Sequence, residues 1–148
     1  MSEPRVTVRL TQRSDYQFDN HFGADVPVLL ADEPAPLGQG QGPSPVQLLC
    51  AAVGNCLSAS LLFSLRKLKQ ESGTLGCEID AEVGRSADKR LRVLTMQARL
   101  SLGVAGESIT HLERVLASFE DYCTVTGSVR AAVTLEVQVV DSTGKRLK

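Results

Sequence analysis

Four cysteines are the residues of this chain best suited to chemistry: Cys50, Cys56, Cys77 and Cys123. A thiol can serve as nucleophile, metal ligand or half of a disulfide, and in each role the deprotonated form reacts. His21 and His111 are the only histidines. There is no CxxC, and neither histidine stands at ligand spacing from a cysteine, so no metal site or bound cofactor is expected. A Cys–His catalytic pair stays open but has no supporting motif. Cys50 and Cys56, six apart on one predicted helix, lie ~240° apart around its axis and ~9 Å along it, so they cannot bridge each other. Cys77 alternates with charged residues on a predicted strand and reads as a small core hydrophobe, as does Cys50. Cys56 and Cys123 have polar company: Asn55 beside the first, and Glu120, Asp121 and Tyr122 before the second. For these two, buried packing and thiol chemistry are both open.

Composition narrows the setting. With 148 residues, 43% of them hydrophobic, the chain suits one globular domain spanning 1–148. Sixteen basic residues against 17 acidic ones leave no phosphate footprint, so no nucleic-acid partner is expected. Four cysteines are too sparse for a disulfide-stapled scaffold. Met1 to Arg5 leads directly into alternating residues with no charged and apolar leader, which predicts a cytoplasmic protein with reduced thiols. No charge occurs from Leu37 to Leu65, but Gln47, Asn55, Ser58, Ser60 and Ser64 interrupt the run. That favours a buried helix over a membrane span.

The elements that must position the thiols follow from periodicity. Alternation predicts strands over Arg5 to Arg13, Tyr16 to Phe22 and Val26 to Ala31. Asp32 to Pro43, rich in Pro and Gly, is a loop. Ser44-Pro45-Val46-Gln47 forms a capping box with proline at the first helical position. The helix it opens is expected to run to about Glu71 before Gly73, a rod of roughly 40 Å. Its first two thirds are apolar or small all round, so burial on most sides is expected. Strands from Cys77 to Val83 and Leu94 to Leu102 flank a charged hairpin loop. Ile109, Leu112, Leu116, Phe119 and Cys123 mark a stripe on one helix from about Ser108 to Gly127. A last strand covers Ala131 to Val139, and the polar tail from Asp141 to Lys148 is expected to fray. The order β3-α-β2-α-β implies an α+β fold. So long an apolar helix wants more cover than about six strands offer, which predicts a homodimer.

Two segments carry a resemblance. Gly42-Pro43-Ser44-Pro45-Val46-Gln47-Leu48-Leu49 followed by Ala51-Ala52-Val53-Gly54-Asn55-Cys56 resembles the opening of the central helix of OsmC/Ohr proteins. Phe119-Glu120-Asp121-Tyr122-Cys123-Thr124-Val125-Thr126-Gly127-Ser128-Val129-Arg130 is similar to their second cysteine segment, and the element order fits as well. The resemblance implies an intertwined homodimer acting as a thiol peroxidase on organic hydroperoxides. Cys56 would be the peroxidatic cysteine and Cys123 the resolving one. An external dithiol, lipoyl-type in the best-known branch, would regenerate them. The family's peroxidases place an arginine near the first thiol and hold it with a glutamate early in the helix. Arg13 is the candidate arginine, with Arg9 second. The glutamate is absent: Val46 or Gln47 stands there, and Gln47 could orient an arginine without charge or serve only the capping box. Thr124 follows the second cysteine where proline is common. These departures mark a divergent branch. They keep open a non-catalytic dimer that binds a small hydrophobic ligand. A hydrolase using Cys56 lacks a credible base.

Overall fold

The computed structural model describes residues 2–148. The chain forms two compact units, one ending at Leu49 and one running from Cys50 to Lys148. The architecture is α+β, with two three-stranded sheets ordered β1-β2-β3 and β4-β5-β6.

In the first unit, β1 (Arg9–Ser14) and β2 (Gln17–His21) form an antiparallel hairpin. Asp15 turns it at φ 49°, a left-handed conformation that short polar side chains tolerate. The strand predicted from Arg5 starts only at Arg9, because Arg9 pairs with His21, the last residue of β2. β3 (Leu29–Ala31) is likewise shorter than predicted. Pro27, which has no N–H to give a ladder, precedes it. The loop that follows is built around one carboxylate. Asp32 is 2% exposed and accepts the backbone N–H groups of Glu33, Gln39 and Gln41 at 2.8, 3.2 and 3.1 Å. Gly42 passes so close to this strand that a Cβ there would sit 2.0 Å from the Leu30 carbonyl oxygen. Helix α1 (Pro45–Lys67) opens with the predicted capping box. The Ser44 N–H donates to Gln47 Oε1 at 2.9 Å, and the Gln47 N–H to Ser44 Oγ at 3.2 Å.

The second unit holds the rest of α1. Val53, Leu57, Leu61 and Leu65 are fully buried, with Gly54, Ser60 and Ser64 beside them. These positions make one stripe at helical spacing. The expectation of burial on most sides therefore does not hold within the single chain: Ala51, Ala52, Asn55 and Ala59 are exposed, and Phe63 is 53% exposed. The helix also ends earlier than predicted. Lys69 takes φ 57°, its N–H donates to Arg66 O, and the Gln70 N–H reaches back to Leu65 O, both at 2.9 Å. That is the double bond pattern of a Schellman stop, formed by lysine rather than glycine.

β4 (Gly76–Arg85) and β5 (Leu91–Ser101) pair antiparallel across a short charged loop. Met96, Ala98 and Leu100 of β5 are buried as alternation requires, and Leu102 just beyond it too. β4 is an edge strand and less covered. Cys77 is exposed rather than packed in a core, and Val83 is 49% exposed.

The helix predicted from Ser108 to Gly127 is broken into α2 (Leu112–Ser118), a 3₁₀ turn (Phe119–Tyr122) and α3 (Thr124–Val129). Its stripe survives: Ile109, Leu116, Phe119 and Cys123 are buried. The spacing of 3 and 4 does not distinguish a continuous helix from turns of slightly different pitch. Cys123 itself is extended, at φ −90° and ψ 97°. The β-branched run Thr124-Val125-Thr126 that follows is a poor helix former. Gly127 does not stop α3; its N–H donates to Cys123 O at 3.0 Å within it.

β6 (Thr134–Val140) starts later than predicted, because the Ala132 and Val133 N–H groups bond back to Val129 O. It runs parallel to β5, as the intervening α2–α3 crossover allows. The tail does not fray. Asp141 Oδ1 accepts from Thr143 N–H, Thr143 Oγ and Lys145 N–H, and Oδ2 from Gly106 N–H. Val140 bridges to Arg146, and Lys148 Nζ donates to Leu116 O at 2.9 Å.

Candidate active site

Cys56 occupies the turn of α1 between buried Val53 and Leu57, and its side chain is half-buried. Cys123, 3% exposed, sits at the break between the 3₁₀ turn and α3. The two thiols are near enough for each to influence the ionisation of the other. They are 67 positions apart in the chain and both reduced. Cys123 stands at this break, and the first residues of α3 stay beside the pair.

The surroundings treat the two thiols differently. Burial pushes the Cys56 thiol up, and so does the neighbouring Cys123 sulfur. The backbone N–H groups of Val125 and Thr124 face Cys56 and oppose that shift. Burial also works against a Cys123 thiolate, but polar hydrogens outweigh it: the Cys56 thiol, the Thr126 hydroxyl and N–H, and the Ser60 hydroxyl. The Cys123 thiol is therefore held below its ordinary value. Thr126 is 1% exposed, and its hydroxyl also reaches Cys123 O at 3.1 Å. Thr126 and Ser60 are site residues that the sequence did not reveal. Their only signal was polarity at positions whose spacing turned them inward.

Glu120 braces this corner. Its carboxylate accepts Arg130 Nη2 on one oxygen and Lys148 Nζ on the other. Lys148 Nζ also lies 5.2 Å from the ring centroid of buried Phe119. The Lys148 side chain thus ties down the turn that presents Cys123.

The other candidates are distributed as follows. Arg13, in the first unit, forks onto Asp19 of the adjacent strand, with Nη2 to Oδ1 at 2.6 Å and Nε to Oδ2 at 3.2 Å. A carboxylate thus holds this arginine, but it comes from β2 and not from the helix. Gln47 is engaged in the capping box, where its oxygen accepts the Ser44 N–H. Arg9 and His21 share a surface cleft with Phe22. His111 is exposed and left-handed at φ 61° ahead of α2. Cys50 and Cys77 line an open groove of about 370 Å³ with Gly54 and Ser58. Burial raises both thiols. Cys56 is not in the wall of that groove. Among the described residues, no three His, Cys, Asp or Glu side chains cluster as metal ligands.

The arrangement can do two-thiol chemistry: one partly accessible sulfur, one buried sulfur against it, and donors that stabilise negative charge on the pair. The fold is shared with several solved structures. A protein from Psychrobacter arcticus, described as a putative osmotic stress induced and detoxification response protein, matches with TM-score 0.76 at 14% identity, covering 93% of this chain and 98% of that one. An OsmC-like protein of unknown function from Vibrio cholerae matches with TM-score 0.76 at 18% identity, over 93% and 99%. The organic hydroperoxide resistance protein OhrB of Bacillus subtilis matches with TM-score 0.68 at 15% identity, over 90% and 97%. A comparison with curated protein sequences gives no match. The family model described as OsmC-like protein matches residues 38–138, which include both cysteines of the pair and the whole of α1. The chain belongs to the OsmC-like protein family.

Proposed function

We propose that the protein is a thiol peroxidase that reduces organic hydroperoxides through Cys56 and Cys123. The observation that carries this reading is the apposition of the two thiols. Accessibility divides their roles. A peroxide can reach half-buried Cys56 but not Cys123, which is 3% exposed. Cys56 is thus the attacking sulfur, although the negative charge of the resting pair rests more easily on Cys123. Cys56 loses its proton to solvent, and the Thr124 and Val125 N–H groups support the thiolate that results. That thiolate attacks one peroxide oxygen, and the O–O bond breaks. The products are a Cys56 sulfenic acid and, after proton uptake, an alcohol. The Cys123 sulfur displaces the sulfenic hydroxyl as water and closes the disulfide. A dithiol reductant then exchanges twice, leaving both cysteines reduced and itself oxidised to a disulfide.

In this reading Arg13, held by Asp19 within the first unit, is the arginine that the family resemblance assigns to thiol activation, and Gln47 secures the start of the helix. The working unit is a homodimer in a reducing cytoplasm. Support for a dimer comes from the open face of α1, with Phe63 53% exposed, and from exposed Val83 and Leu91.

Thiol titration before and after one equivalent of cumene hydroperoxide tests the proposal. Two thiols lost per chain, with the loss abolished by Cys56→Ser, are expected. No loss, or loss unaffected by that substitution, overturns it. A second reading, a non-catalytic dimer binding a small hydrophobic ligand, draws on the raised Cys56 thiol and on the engagement of Gln47 in the cap. It requires Cys56 to alkylate no faster than an ordinary cysteine.

A further inference from the structure

We infer that the cleft between the C-terminal half of α1 and α2 is a binding site for a small organic carboxylate, held by Lys67 and Arg114. The cleft has a volume of about 310 Å³ and shares no lining residue with the Cys56–Cys123 pair. Lys67 stands on its α1 side and Arg114 on its α2 side. Among the described residues neither cation has a carboxylate partner. Lys67 Nζ instead lies 5.7 Å from the Tyr122 ring centroid, and Tyr122 is itself set edge-on against Phe63 at 5.4 Å. Two cations without carboxylate partners at one cleft favour an anion.

The deeper wall adds to the argument. Ser64 lines the cleft and is 6% exposed, yet its buried Oγ has no hydrogen-bond partner. An unmatched buried hydroxyl is unusual in a folded chain, and a small shift toward a bound oxyanion would satisfy it. Leu68, Val115 and Ala117 give the lining an apolar part, beside Ser118 and Tyr122. A ligand must therefore carry charge at one end and an apolar body at the other. The planar fork of arginine matches the two oxygens of a carboxylate. A free phosphate would leave the apolar wall uncovered. The volume lies near the lower limit of roughly 300 Å³ for ligand pockets, which suits a body of benzoate size and excludes a long acyl chain held within the cleft.

The experiment is an NMR titration of the reduced, isotope-labelled protein with sodium benzoate, with benzamide and inorganic phosphate as parallel arms. Saturable benzoate shifts in the amides around Ser64 to Leu68 and Arg114 to Ser118 are expected, with much weaker binding of benzamide and phosphate. Arg114→Gln and Lys67→Gln, each confirmed as folded by its spectrum, should each weaken benzoate about fivefold or more, as loss of one charge-assisted contact requires. No saturation at ~10 mM benzoate overturns the site. So does benzamide binding as well as benzoate, or benzoate binding that is unchanged in both variants. Phosphate binding as tightly as benzoate, or more so, overturns the carboxylate assignment.

Discussion

Replacing Glu120 by glutamine tests how the Cys123 corner is held. The Glu120 side chain is 14% exposed, and its two oxygens receive Arg130 and Lys148, which are 41% and 34% exposed. Glutamine keeps the shape and one acceptor oxygen but presents an NH2 group to one of the cations. Fully exposed pairs contribute ~0.2–1 kcal/mol, and breaking a buried pair costs about 3–5 kcal/mol. With the acid mostly covered and both bases partly solvated, a loss of about 1–2 kcal/mol is expected at neutral pH. For a chain of this size that lowers Tm by about 2–8 °C. The assay is thermal denaturation of the reduced protein followed by circular dichroism, at one fixed protein concentration so that any association is matched. The pH dependence supplies the specific signature. Burial opposes ionisation of Glu120, but Lys148 and Arg130 outweigh it and hold its carboxyl below the usual value of 4.5. A depressed carboxyl stabilises the fold above its unfolded value and loses that contribution as pH falls through its folded value. The gap between wild type and Glu120→Gln should therefore be full at pH 7 and close in acid below pH 4. Equal melting at pH 7, or a gap that persists undiminished at acid pH, would refute the reasoning.

Further outcomes are expected. Asp141, held to about 2 by the Gly106 N–H, the Thr143 hydroxyl and N–H, and the Lys145 N–H, stabilises the tail fully above pH 3.8 and loses this as pH falls through about 2. Asp141→Asn should flatten that acid limb of a urea-denaturation series. Ser44→Ala should cost ~1 kcal/mol of stability by chemical denaturation, since it removes the hydroxyl that accepts the Gln47 N–H. Leu61→Ala, at a fully buried position of α1, should cost about 2–5 kcal/mol by the same measurement. In Cys123→Ser, cumene hydroperoxide should leave a sulfenic acid on Cys56 that dimedone traps. In the intact pair it should not, because the disulfide forms first.

The sequence by itself determined the elements that depend on neighbours a few positions away. The capping box at Ser44 and Gln47, the alternation of Met96, Ala98 and Leu100, and the stripe through Leu116, Phe119 and Cys123 are all local patterns, and local sterics and hydrogen bonding set them. The Cys56 and Cys123 segments were legible too, but as a resemblance, since nothing in their spacing alone distinguished a redox pair from two packed thiols. Tertiary structure decided the rest. It broke the second helix at Cys123, because a 3-and-4 spacing is satisfied equally by one helix and by turns of changing pitch. It exposed Cys77, because alternation names a face of a strand but not whether anything covers it. It tied Lys148 back to Glu120 and Leu116, because a charged side chain at the end of a polar tail shows no preference until a partner 28 positions away is folded within reach. It set Cys56 against Cys123 with Thr126 and Ser60 beside them, and so put charge more readily on the buried sulfur than on the accessible one. A proton's place between two thiols depends on which dipoles surround them in space, and no linear pattern of residues specifies that.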